Sequence, residues 1–159
     1  MIKYLFIFIC MLNLTFSNEI DSLFSAINRK DFDYVKANIS RNINASDSYS
    51  GTTPLLVASY SGSLKIVEFL LNNGAKVNIA NKQGDTPLLK ASASGSKEIV
   101  ELLLQNGAKV NVTNSDGNTP LLMALASGSK EIVELLLTHG ADIDKKNYDG
   151  VTPLLAAYN

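Results

Sequence analysis

The stretch ASGSKEIVELLL runs from Ala93 to Leu104 and recurs, letter for letter, from Ala126 to Leu137. The two copies begin 33 residues apart. A fixed spacing of roughly 20–50 residues is the signature of a stacked-repeat architecture. The same period governs the chain's punctuation. TPLL begins at Thr53, Thr86, Thr119 and Thr152 and contains all 4 prolines. The 10 glycines fall on three phases of that period, which start at Gly51, Gly62 and Gly74. Glycine and proline are the strongest local breakers of structure, so one unit is being used several times.

One unit, Gly84 to Asp116, can be read residue by residue. Asn81 to Gly84 is a turn cluster. Thr86 is placed to cap a helix, and Pro87 sits at the first helical position, where its missing N–H costs nothing. Leu88, Leu89 and Ala91 open a short helix that Gly95 ends. Lys97 to Gln105 then form a second helix, with Glu98, Glu101 and Gln105 polar and five aliphatic residues around the rest. A helix apolar on more than one side is sandwiched between neighbours. Asn106-Gly107 closes it as a C-terminal cap, and Val110 turns back toward the core. Such a unit cannot bury its second helix alone, whereas stacked copies can.

These motifs in combination, the TPL turn-and-helix start, IVELLL and NGAKVN, resemble the ankyrin repeat. The resemblance covers Gly51 to Asn159 and, more loosely, the segment from Glu19. It implies an all-α solenoid of stacked helix pairs with projecting turn-tipped loops, and a protein-recognition surface along those fingers and the first helices. Residues 51–149 then form three complete repeats and 150–159 a partial C-terminal repeat. Residues 18–50 form an N-terminal capping helix pair and the first loop. Within the cap, SLFSAINRKDFDYVKANI reads as two short helices with a polar outer side. The loop from Ile43 to Gly51 is one residue longer than Val77 to Gly84, which predicts a bulged first finger. The family usually carries His after TPL and ties neighbouring loops with it. Leu56, Leu89, Leu122 and Leu155 stand there instead, so the fingers are expected to lack that tie.

Residues 1–17, MIKYLFIFICMLNLTFS, differ from the rest. Lys3, an apolar run and small residues Thr15 and Ser17 give the layout of a signal peptide cleaved after Ser17. A retained anchor is the alternative, although the run is shorter than the ~20 residues a spanning helix needs. A lipoprotein at Cys10 is weaker, because bulky Ile9 precedes it. The expected location is therefore exported: periplasmic, cell-surface or secreted. Cys10 is the single cysteine, so no internal disulfide can form.

The formal net charge is −1, with no basic cluster, which argues against nucleic acid as a partner. His139 is the only histidine and sits at a helix end, where Asn73 and Asn106 stand in the other repeats. With no second His, and with Cys10 removed along with the signal peptide, neither a zinc site nor a Cys–His pair can be assembled. Ser94, Ser96, Ser127 and Ser129 flank turn glycines and are expected to satisfy backbone groups locally. Glu68, Glu101 and Glu134 share a phase, but repeats about 10 Å apart cannot share one calcium ion. The NxS/T triplets at Asn38, Asn44 and Asn111 would be glycan acceptors only in a eukaryotic secretory route. The expectation is a chain with no enzyme activity, no cofactor, no metal and no small-molecule substrate.

Comparing the repeats with one another separates fixed positions, which build the stack, from variable ones, which are free for recognition. The finger tips vary: Tyr49 and Ser50, Lys82 and Gln83, Ser115 and Asp116, Tyr148 and Asp149. So does the residue after each finger glycine: Thr52, Asp85, Asn118 and Val151. At the end of the first helix stand Tyr60, Ala93 and Ala126. The predicted partner-binding set is Tyr49, Tyr60, Lys82, Gln83, Asp85, Ser115, Asp116, Asn118, Tyr148 and Asp149, with the tyrosines as anchors. The partial last repeat predicts that Ile132, Val133, Leu135 and Leu136 are partly uncovered. That open end supports an alternative, self-association or a structural role in an envelope assembly.

Overall fold

The computed structural model describes residues 19–40 and 42–158. The signal-peptide reading falls on residues 1–17 and lies outside them. No helix among the described residues is long and apolar enough to cross a membrane. The described residues form helices joined by turns, with no strand. In chain order these are α1 (19–28), α2 (Phe32–Asn38), α3 (Pro54–Tyr60), α4 (Leu64–Asn72), α5 (Pro87–Ser94), α6 (Lys97–Gln105), α7 (Pro120–Ala126), α8 (Lys130–Thr138) and α9 (Pro153–Ala156).

The helix starts follow the local code. Thr53, Thr86, Thr119 and Thr152 are extended residues whose hydroxyls accept from the N–H groups of Leu56, Leu89, Leu122 and Leu155 at 3.2–3.4 Å. Proline occupies the first turn of each of these helices. Gly95 ends α5 at φ 72°, a left-handed conformation in which a side chain would be strained.

First helices α3, α5, α7 and α9 pack in one layer, and α2, α4, α6 and α8 in a second. The core runs as rows along the stack. Leu55, Leu88 and Leu121 make one row, Ile66, Ile99 and Ile132 another, and Leu70, Leu103 and Leu136 a third, all 0–2% exposed. Ala58, Ala91 and Ala124 are fully buried where first helices pass each other. Each buried Leu or Ile contributes roughly 1.5–3 kcal/mol relative to exposure. The cap follows the same logic: Leu23, Ala26, Ile27 and Val35 face the stack, while Asp21, Ser22, Ser25 and Arg29 face out. Phe32 of the cap meets Phe69 edge-on at 5.4 Å, with Lys65 Nζ 4.0 Å above the Phe32 ring.

Loops are clasped to their neighbours by asparagine. The amide oxygens of Asn44, Asn78 and Asn111 accept from the N–H groups of Lys76, Lys109 and Asp142 at 2.8–2.9 Å. Their amide nitrogens donate to the carbonyls of Gly74, Gly107 and Gly140 at 2.9–3.1 Å. The side-chain amides of two of the three glycan triplets, at Asn44 and Asn111, are thus engaged in stacking. That of Asn38 donates to the Tyr34 carbonyl at 2.8 Å.

The open end differs from the expectation. Ile132 and Leu136 are fully buried. Spaced four apart, they form one stripe of α8, covered by α7 and α6. The neighbouring stripe faces the end: Val133 is half-buried and Leu137 exposed, while Leu135, on the other side of the buried stripe, is half-buried. Together with Leu121, Leu125, Ile143 and Leu154, Val133 and Leu137 line an apolar groove of about 170 Å³.

Candidate protein-binding surface

The four fingers are tied more firmly than the missing His suggests. Their backbones form a ladder: Lys82 N–H donates to Ser50 O at 2.8 Å, Ser115 N–H to Gln83 O at 2.8 Å, and Tyr148 N–H to Asp116 O at 3.0 Å. Side chains add to it. Asn114 donates its amide to Asp85 at 3.1 Å, and Asn147 donates to Asn118 at 2.9 Å. The same asparagines hold their own turns, because Asn114 Oδ1 accepts from the N–H groups of Asp116 and Asn118, both at 3.0 Å. Asparagine at the finger base therefore supplies the bonds that leucine cannot.

The first finger is bulged, as its length predicts. Gly51 N–H reaches back four residues to Asp47 O, whereas Gly84 N–H reaches three to Asn81 O. The extra residue lies between Asp47 and Gly51. The Asp47 carboxylate organises this longer turn by accepting from the N–H groups of Tyr49, Ser50 and Thr52 and from the Ser50 hydroxyl. Burial raises its pKa, but the Ser50 hydroxyl and the three backbone N–H groups outweigh that, so the carboxyl sits below its ordinary value.

On this frame most predicted residues are presented to solvent. Tyr49 is 91% exposed at the bulged tip, Tyr148 78% on the last finger and Tyr60 62% at the end of α3. Lys82, Gln83, Ser115, Asp116 and Asp149 are also exposed. Tyr148 packs across Gly117, where an added Cβ would meet its ring at 2.9 Å. Asp85 and Asn118 are placed differently. They are half-buried and hold neighbouring fingers, and Asp85 also pairs with Lys90 at 2.8 Å.

Sequence comparison missed a hollow. Tyr60, Val57, Lys90, Asn28 and Thr52 wall a cavity of about 290 Å³ between the first finger and α3, with Leu56 and Asn81 completing it. Position 90 was legible as variable, since Val57 and Met123 stand in its phase. Its convergence with Tyr60 was not. A larger hollow of about 400 Å³ lies on the cap between polar residues of α1 and α2, away from the fingers.

His139 behaves like the asparagines it replaces. Its Nδ1 lies 2.8 Å from the Leu135 carbonyl, where Asn73 and Asn106 donate to Phe69 O and Leu102 O at 2.7 and 2.8 Å. A carbonyl only accepts, so Nδ1 carries the proton. Ser94 and Ser127 bond locally to Ala91 O and Ala124 O. They also reach back one repeat, to Ser59 O and Ser92 O at 3.3 and 3.1 Å, so their role is wider than local. Glu68, Glu101 and Glu134 are exposed on the second helices.

A family model for ankyrin repeats in three copies matches the chain at residues 1–81, 23–114, 74–147 and 107–159. No curated protein matches the chain. Helix pairs in two layers, glycine-turned fingers and family matches along the whole length agree: the chain belongs to the ankyrin-repeat family, whose repeats are general protein–protein interaction modules.

Proposed function

We propose that this chain is an exported, non-catalytic binding module that grips a folded partner protein with its finger tips and first helices. The observation that carries the reading is the contrast between frame and tip. The fingers are bonded to one another through backbone and asparagine, while their tips project and change along the row, from Tyr49 and Ser50 through Lys82 and Gln83 and Ser115 and Asp116 to Tyr148 and Asp149. A surface already held in place loses little freedom on binding, so its contacts convert more fully into affinity. Tyrosines at both ends of the finger row are large, stiff and amphipathic, as binding anchors are. Export rests on the layout of residues 1–17 and places the partner in the periplasm, on the cell surface or outside the cell.

Light crosslinking in the native cells followed by mass spectrometry tests both parts. The expected result is a bait whose N-terminus lies near Asn18, joined to one exported protein in constant ratio. With that protein purified, Tyr49→Ala plus Tyr148→Ala is expected to weaken binding by about tenfold or more. A bait that retains Met1 refutes cleavage, and binding indifferent to both tyrosines refutes the finger-tip grip.

A second reading is favoured by the groove at the C-terminal end. Its lining residues carry no charge, so two copies can meet there without like-charge repulsion, and Val133 and Leu137 offer an i, i+4 ridge for an antiparallel partner helix. Concentration-dependent sedimentation that Leu137→Glu abolishes, with the finger tyrosines irrelevant, would move the function to self-association.

A further inference from the structure

We infer that the hollow beside Tyr60 is an anchor pocket for an aromatic side chain that stands next to a carboxylate on the partner. This deepens the binding reading above and rests on it. The first ground is where the chain's variation is concentrated. Leu56 and Asn81 occupy repeated positions, with Leu89, Leu122 and Asn114, Asn147 in the same phases. None of the five walls repeats. Thr52 gives way to Asp85 and Asn118, Val57 to Lys90 and Met123, Tyr60 to Ala93 and Ala126, and Asn28 belongs to the cap. Changes at four separate points of the sequence thus meet in one cavity of about 290 Å³.

The second ground is size and lining. An apolar cavity of about 150 Å³ already takes a benzene ring. This hollow has room for a ring and a polar group beside it. Val57, the buried Leu56 and the Tyr60 ring give apolar contact, and Tyr60 can stack on or meet a ring edge-on.

The third ground is charge. Two carboxylates lie near the hollow, and both are used internally: Asp47 by Ser50, Tyr49 and Thr52, and Asp85 by Lys90 and Asn114. The cations are less committed. Lys90 Nζ gives one N–H to Asp85 and keeps two more, at the hollow's wall and 5.8 Å from the Tyr60 ring. Lys82 follows Asn81 on the second finger, outside the hollow's wall, and its ammonium group donates to the Ser48 carbonyl at 3.0 Å. The wall of the hollow therefore presents the remaining N–H donors of Lys90 to an anion. Further along the row, Asp116 and Asp149 are exposed finger-tip acids. Lys146 stands exposed beside the last finger as well, so the preference for a partner's acid belongs to the hollow and not to the whole row.

The probe is 3-phenylpropanoate, a ring joined to a carboxylate, with 3-phenylpropylammonium as its cationic counterpart. Each is titrated into the 15N-labelled full chain. The expected result is amide shifts at Val57, Tyr60 and Lys90 with the carboxylate, at a dissociation constant on the order of millimolar, as suits so small a ligand. The ammonium compound should bind about fivefold more weakly or not at all. Tyr60→Ala and Lys90→Met, which copy residues of the sibling repeats and so respect the stack, should each weaken the carboxylate by about fivefold while the rest of the spectrum is kept. No shifts at these residues, equal binding of both compounds, or indifference to both variants overturns the pocket. Those results leave the finger-tip grip standing. A captured partner that ignores Tyr49 and Tyr148 refutes the grip without altering the titration, so the two failures are told apart.

Discussion

At the scale of single residues, asparagine and aspartate do what the family assigns to histidine. Asn81, Asn114 and Asn147 each hold a finger turn, and Asn114 and Asn147 bridge to the finger before. In the bulged first finger the carboxylate of Asp47 takes over, because the longer turn has more N–H groups to satisfy. Asp47→Ala should lower stability by about 1–3 kcal/mol at neutral pH, the usual scale for hydrogen bonds to a charged group. Asp47→Asn should cost less, since one oxygen is kept. The folded carboxyl has a depressed pKa. Its contribution is therefore complete above the ordinary aspartate value and is lost as pH falls through the lower folded value. Urea midpoints measured from neutral to strongly acidic pH should show the gap between the parent chain and Asp47→Ala closing in acid. A gap that stays constant would mean that the charge is not what holds the turn.

At the scale of elements, the two helices of a repeat start by different means. First helices begin at a threonine whose hydroxyl is bonded into the first turn. Second helices begin at Ser63, Ser96 and Ser129, which make no such bond. The Ser96 and Ser129 hydroxyls lie 3.0 Å from those of Ser94 and Ser127 instead. By residue type alone, serine and threonine are comparable caps. The geometry predicts otherwise: Thr86→Ala should cost about 1–2 kcal/mol, whereas Ser96→Ala should change stability by less than about 0.5 kcal/mol. Chemical denaturation of the two variants decides the matter, and equal losses would refute the distinction.

At the scale of the whole molecule, the value of a residue is set by which neighbours its repeat has. Leu121 and Leu154 occupy the same position in consecutive units, yet Leu121 is 2% exposed and Leu154 73%. Leu121→Glu places a carboxylate inside the stack and should cost about 3–5 kcal/mol or prevent folding. Leu154→Glu should be nearly neutral for the isolated chain and raise its solubility. Thermal melts of both variants test the contrast. A costly Leu154→Glu in dilute solution would mean that this face is covered, and sedimentation would then reveal by how many copies.

How much could be read in advance divides along a physical line. The repeat unit, its helix starts at Thr-Pro, its turns at glycine and the longer first finger are set by residues within a few positions of one another. Ordered reading of the letters was enough for these. The role of Asn114 and Asn147 in tying fingers was hidden, because each bonds a residue 29 positions away. Asp85 and Asn118 read as variable and therefore available, yet the same bonds draw them into the frame. On α8, Ile132 and Leu136 could not be told from Val133 and Leu137 by hydrophobicity. Only the positions of α6 and α7 decide which stripe is covered. The hollow at Tyr60 depends on four separate segments meeting. Sequence alone determined the unit and its period, because propensity and capping act locally. Tertiary structure decided which faces are used up and which remain open, because burial and long-range hydrogen bonds exist only once the units are stacked.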